Sequence, residues 1–145
     1  MWGFLIAMLS GALMSVQGVF NTGVTKESGT WLTNSFVQLT GLIVCLILYF
    51  TMEGNKVPVD SLFKIDRKYM LLGGVIGAFI TYTVIKSMSM LGPAKAVLAI
   101  VITQVLVAYI IELLGLFGVE KVPFSWTKLV GMIISVIGLF VFKNF

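Results

Sequence analysis

The sequence predicts an all-α membrane protein of five transmembrane helices, and three observations carry that expectation. Hydrophobic residues make up 59% of the chain and charged ones 11%, with a mean hydropathy of +1.06, whereas the apolar share of a soluble domain is about 45–50%. The natural solvent for such a chain is a bilayer. The charges are also bunched, so that long apolar stretches lie between them. Finally, 145 residues, at roughly 20 per helix plus connections, fit about five spans.

The spans follow in order, as a single membrane domain over 1–145. Span one is expected over 2–24, because Met1 to Thr25 carries no charged side chain and is long enough for a hydrocarbon core about 30 Å thick. Span two, over 29–52, lies in the uncharged run from Ser28 to Met52. The third, over 69–88, has a shorter uncharged run from Tyr69 to Ile85, bounded by Lys68 and Lys86, whose long stems can snorkel to the interfaces. Span four, over 94–117, begins just after Gly92-Pro93, residues suited to a tight turn and a helix start. From Ala96 to Val119 the chain is apolar apart from Thr103, Gln104 and Glu112. Span five, over 124–142, opens at Ser125, an N-cap candidate, and Trp126, an interfacial aromatic, and closes at Lys143. Because Met1-Trp2 begins an apolar run with no basic segment, span one is expected to be retained and not cleaved as a secretory signal. The loop from Glu53 to Lys68 is too short for a soluble domain.

Composition excludes several function classes. The ten basic and six acidic residues give a net charge of +4, too sparse for the clustered basic face that nucleic acid requires. With no histidine and a single cysteine, Cys45, the chain lacks the means for a disulfide framework, a Cys/His zinc site or a Ser-His or Cys-His relay. No cofactor or metal is expected. Glu112, Lys86 and Lys95 are too dispersed to form an acid/base constellation, so an enzyme is not expected either.

Orientation follows from Lys and Arg on the two sides. If the N-terminus and the second and fourth connections share one side, that side holds Lys56, Lys64, Arg67, Lys68, Lys121 and Lys128, and the other holds Lys26, Lys86, Lys95 and Lys143. Six against four favours a cytoplasmic N-terminus and leaves insertion in both directions open. With an odd number of spans, a tandem copy would enter the membrane upside down and create an inverted repeat. A single copy reaches the same end by pairing antiparallel with itself or with a sister chain. Helices in lipid associate through close packing, which small residues permit. Such faces occur at Gly3, Ala7, Gly11 and Ser15 in span one, at Gly73 and Gly77 in span three, and at Gly131, Ser135 and Gly138 in span five. They serve packing within one subunit or a dimer contact.

The polar residues inside the spans carry the functional signal. Gln17 and Asn21 are four apart and share a helix face, and Asn34 and Gln38 repeat that spacing in span two near the same membrane side. An amide in hydrocarbon must satisfy both donors and acceptors. These groups therefore either bond across helices or line a wet cavity that orients a polar solute. Gln104 is the corresponding amide of span four. Glu112 is the only carboxylate placed deep in a span; a carboxylate partly out of water can take and release a proton as its exposure changes, the minimum device for proton coupling. The other reading is an interfacial Glu112 paired with Lys121 or Lys128. Lys86 and Lys95, flanking Gly92-Pro93, either anchor helix ends or attract an anion.

The run Gln17-Gly18-Val19-Phe20-Asn21, and Gln104 followed by Ala108, Glu112 and Gly115-Leu116-Phe117-Gly118, resemble the two signatures of the YdcZ-like inner-membrane proteins of the drug/metabolite transporter superfamily. The resemblance covers almost the whole chain. It implies about five spans per chain, the existence of fused ten-span forms, and export of mostly unassigned substrates across a bacterial inner membrane. The chain is then half of a ten-helix inverted-repeat transporter. Where that family often has Asp-His-Phe-Gly, this chain has Glu112-Leu113-Leu114-Gly115, and Thr103 precedes Gln104 where Gly is usual. The acid is kept and the histidine lost, so a relay using both does not carry over. The more distant small multidrug resistance proteins place an essential Glu in the first of four spans; span one here has no carboxylate, so their mechanism does not transfer.

The expected function is therefore export of a small polar or cationic metabolite or drug by alternating access, with protons as the candidate coupling ion. An antiparallel homodimer, or a heterodimer with a homologous subunit, would enclose a midplane cavity lined by Gln17, Asn21, Asn34, Gln38 and Gln104, with Glu112 as the proton-coupling group. The competing class is a non-transporting membrane subunit that uses its small-residue faces for assembly.

Overall fold

The computed structural model describes residues 1–53 and 56–143. Within the expected loop from Glu53 to Lys68, residues 54 and 55 lie outside the described residues, as does the side chain of Lys143. The protein is all-helical, with no strand among the described residues. Among the described residues five α-helices follow one another: α1 (Trp2–Ser28), α2 (Thr30–Leu48), α3 (Gly73–Leu91), α4 (Pro93–Leu114) and α5 (Trp126–Lys143). Four helical segments, Trp2–Ser28, Thr30–Glu53, Lys68–Leu91 and Pro93–Leu114, are long and apolar enough to cross a membrane, and Trp126–Phe142 is a shorter apolar one. At 1.5 Å per residue that last segment is about 25 Å long, a few ångströms short of a typical hydrocarbon core, so four of the five expected spans have the full length.

These helices follow from the solvent. In a hydrocarbon core every backbone N–H and C=O must be satisfied within the segment, which leaves the helix as the only open solution. Hydroxyl side chains conform to the same rule. Ser10, Ser15, Thr22, Thr25, Ser35, Thr81, Thr83, Thr103 and Ser135 each donate to the carbonyl four residues back, so a polar group inside the span need not meet lipid unpaired.

The helix ends differ from the sequence expectation where a specific residue takes control. α1 runs on through Lys26 and Glu27 to Ser28, and the stop is Gly29, at φ 79° and ψ 159°, a region essentially closed to residues with a Cβ. α2 starts at the next residue, so one glycine turns the chain between two long helices. Gly92 repeats the device between α3 and α4, at φ 80° and ψ 159°, with Pro93 in the first turn of α4, where its missing N–H costs nothing. α2 continues past Leu48 as a π turn over Tyr49–Glu53. α3 is entered by a 3₁₀ turn over Lys68–Leu72. α4 ends at Leu114 because Gly115 adopts the left-handed conformation, at φ 64°, while the Val122 N–H donates to the Glu112 carbonyl at 3.0 Å, satisfying one of the orphan acceptors of that end.

The chain forms two compact units, Met1–Lys86 and Ser87–Phe145. In the first, α1 packs along α2, and the buried residues are Gly18, Asn21, Thr33, Asn34 and Ile85. In the second, α4 packs along α5, and Met88, Ala96, Ile102, Tyr109 and Met132 are buried. Apolar side chains otherwise face outward over nearly the full length of every helix, as expected where lipid is the surrounding medium. A Cβ built on Gly3, Gly11, Gly73, Gly77, Gly131 or Gly138 meets no atom within 4 Å. The small-residue faces of α1, α3 and α5 are thus left open at these glycines.

Candidate functional site

In the first unit the polar side chains gather where α2 meets α3. Trp31, Asn34 and Gln38 are spaced i, i+3, i+7 and so fall on one face of α2. Asn34 is 3% exposed, and its Nδ2 donates to the Ala78 carbonyl at 2.8 Å. Gln38 is exposed, and its Nε2 donates to Thr81 Oγ1 at 3.4 Å. Trp31 stacks on Tyr82, with ring centroids 4.7 Å apart and planes 13° from parallel. The partners decide which way each amide points. A backbone carbonyl only accepts, so Asn34 must offer it an N–H. The Thr81 hydroxyl proton already goes to the Gly77 carbonyl at 3.0 Å, so Thr81 Oγ1 is itself an acceptor for Gln38. Asn34 Oδ1 is buried without a hydrogen-bond partner among the described residues.

On α1, Gln17 and Asn21 line one hollow of about 450 Å³ together with Leu13, Met14, Val16 and Phe20. The hollow is mostly apolar, with the two amides as its polar points. Asn21 is buried, at 8% exposure, and Gln17 is exposed. Beyond them, α1 and α2 are joined at their shared turn by Ser28 Oγ and Thr33 Oγ1, 2.8 Å apart, so the polar end of this hairpin is tied by hydroxyls.

The second unit holds Gln104 and Glu112, both on α4. Gln104 is exposed. Glu112 Oε2 accepts from Lys128 Nζ of α5 at 3.2 Å, and the two side chains are about half exposed. Tyr109, one turn before Glu112, is 7% exposed. Its hydroxyl accepts the Ser125 N–H at 2.8 Å, and Lys128 Nζ lies 5.1 Å from its ring centroid, within range of a cation–π contact. Glu112, Lys128, Tyr109 and Ser125 therefore tie the end of α4 to the start of α5. The Ser125 hydroxyl accepts from the Lys128 N–H at 3.5 Å, a long form of the N-cap bond its position suggests.

The residues singled out from the sequence are thus distributed over both units. Asn34 and Gln38 are brought onto α3, Gln17 and Asn21 share a hollow, Glu112 has the Lys128 partner, and Gln104 stands apart from Glu112 on an exposed sector of α4. Participants that were not singled out include Trp31 on α2, Ala78, Thr81 and Tyr82 on α3, and Tyr109 on α4. Thr81-Tyr82-Thr83 was a legible signal, a polar triplet in an otherwise apolar span. Tyr109 had the weaker signal of lying three residues before Glu112. Ala78 contributes only its backbone carbonyl, which no sequence pattern marks. Among the described residues no group of His, Cys, Asp and Glu side chains is placed to hold a metal ion.

A family model described as "Putative inner membrane exporter, YdcZ" matches residues 2–141. No curated protein and no solved structure matches the chain.

Proposed function

The chain belongs to the YdcZ family of inner-membrane exporters, and from that premise we propose that it carries a small polar or cationic metabolite or drug outward by alternating access. The premise places it among multi-pass inner-membrane proteins and points to transport and away from catalysis. The finer reading is ours. A pair of five-helix subunits, identical or homologous and inserted in opposite directions, forms a ten-helix inverted repeat around a cavity lined by Gln17, Asn21, Asn34, Gln38 and Gln104.

The observation that most supports it is the Asn34 carboxamide: a buried polar group in an apolar helix, with one hydrogen-bonding atom spent on the protein and Oδ1 unspent. Such a group is costly unless something meets it. The antiparallel arrangement draws support from the odd number of helices, the near-even division of basic residues and the open glycine faces. Glu112 is the coupling group in this reading. A proton on its carboxylate cancels the charge that holds Lys128, so protonation state and the α4–α5 tie change together.

Flux into proteoliposomes tests the proposal. Substrate-dependent flux is expected from the wild type. It should fall at least tenfold in Gln17→Ala, and Glu112→Gln should lose its dependence on an imposed proton gradient, with both variants still assembling. No flux of any small amine, acid or sugar, measured as current on a solid-supported membrane, would overturn the transport reading. The open glycine faces would then favour a non-transporting membrane subunit.

A further inference from the structure

Where α2 meets α3, one buried polar atom, the acceptor Asn34 Oδ1, is left unmet among the described residues. Asn34 and Gln38 each spend an N–H on α3, on the Ala78 carbonyl and on Thr81 Oγ1. Neither amide can be reversed, because both partners can only accept there. The hydroxyl protons of Thr22, Thr25 and Thr81 are turned onto carbonyls of their own helices. What is left over is a second N–H on each amide and, at Asn34 Oδ1, a buried acceptor with no partner among the described residues. One turn along the same face of α2 stands the Trp31–Tyr82 stack, whose ring faces carry negative quadrupole potential. A carboxylate or phosphate brought against Asn34 Oδ1 would set lone pair against lone pair. A group that brings both positive charge and N–H protons meets its complement.

We propose that the substrate is a small primary or secondary ammonium compound, and that Asn34 Oδ1 accepts one of its N–H protons and so selects it over cations without them. The inference rests on the transport reading for the role of this site, and names the chemistry the site takes. The amides of Gln17 and Asn21 on α1, mixed in donor and acceptor, are suited to the neutral polar remainder of such a molecule.

The test compares matched cations on the full chain in lipid nanodiscs. The readout is Trp31 fluorescence, in a Trp2→Phe, Trp126→Phe background that leaves one tryptophan beside the site. The probes are ethylammonium and ethanolammonium with their quaternary counterparts, ethyltrimethylammonium and choline, plus glycolate and glycerol. The expected result is binding of an N–H-bearing cation about tenfold or more tighter than its quaternary counterpart, the scale of a hydrogen bond to a charged group. Asn34→Leu is expected to abolish that preference; should this variant not fold, the wild-type comparison decides. Equal binding of the paired cations, as for an Asn34 that holds only a structural water, overturns the proposal. So does binding of glycolate or glycerol alone, or of no probe. Flux of acids or sugars without amine binding would overturn this inference and leave the transport reading standing. Selective amine binding without flux would do the reverse.

Discussion

Tyr109 is the residue on which the α4–α5 corner turns. It is a buried aromatic whose hydroxyl satisfies a backbone N–H of the incoming strand of chain, at Ser125, and whose ring lies beneath Lys128. Tyr109→Phe keeps the ring and removes the acceptor, so the Ser125 N–H loses its partner. A loss of about 1–2 kcal/mol in stability is expected, read as a lower melting temperature in detergent. Glu112 belongs to the same corner but should behave differently. Its ion pair with Lys128 is about half exposed, and exposed pairs contribute between zero and about 1 kcal/mol. Glu112→Gln is therefore expected to leave the melting temperature within a few degrees of the wild type. A Glu112→Gln protein that melts far lower than Tyr109→Phe would show the carboxylate to be structural and would remove it as the coupling group.

At the scale of elements, single glycines decide where helices stop. Gly29 and Gly92 take nearly the same backbone conformation, one that a Cβ forbids although nothing crowds either position. The cost of substitution is thus conformational strain alone, about 1–3 kcal/mol. Gly29→Ala and Gly92→Ala should each destabilise by that amount, whereas Gly41→Ala, in the interior of α2 with open space about its Cα, should not destabilise at all. Equal melting temperatures for the three would refute the assignment of strain to the two links. Gly115 adds a packing cost to its left-handed conformation, since a Cβ there lies 3.3 Å from the Lys121 Cβ. Gly115→Ala should therefore loosen the α4 end.

At the scale of the whole molecule the question is how many copies make the functional unit and which way they point. The proposed second copy is motivated by what the subunit leaves undone: open glycine faces, polar groups spread over two units, and a charge balance that hardly prefers one insertion. The prediction is direct. With the native thiol removed by Cys45→Ser, since Cys45 is free and exposed, a single cysteine placed near either end of the chain should be labelled from both sides of the membrane in cells. Labelling from one side only would defeat the self-paired arrangement and leave pairing with a homologous subunit. Gly11→Leu should weaken cross-linking between subunits without lowering the stability of the subunit, because that face is open within the chain.

Much of this protein was legible in its residues because a bilayer imposes a coarse and unforgiving rule: a long run without charge must become a helix, since nothing else satisfies its backbone. The helix number and the Gly92-Pro93 turn follow from counting along the chain; that the fifth apolar helix is shorter than a full span does not. The amides too could be picked out, because a polar residue in an apolar run is conspicuous. What counting could not supply is what each of them touches. Asn34 reaches a backbone carbonyl at Ala78, Gln38 a hydroxyl whose proton is already committed, and Glu112 chooses Lys128 over Lys121. Spacing along a helix determines a residue's face, but the partner opposite that face is set by how a second helix crosses it. Whether a carboxamide shows its donor or its acceptor is decided only there, by what that partner has left to give.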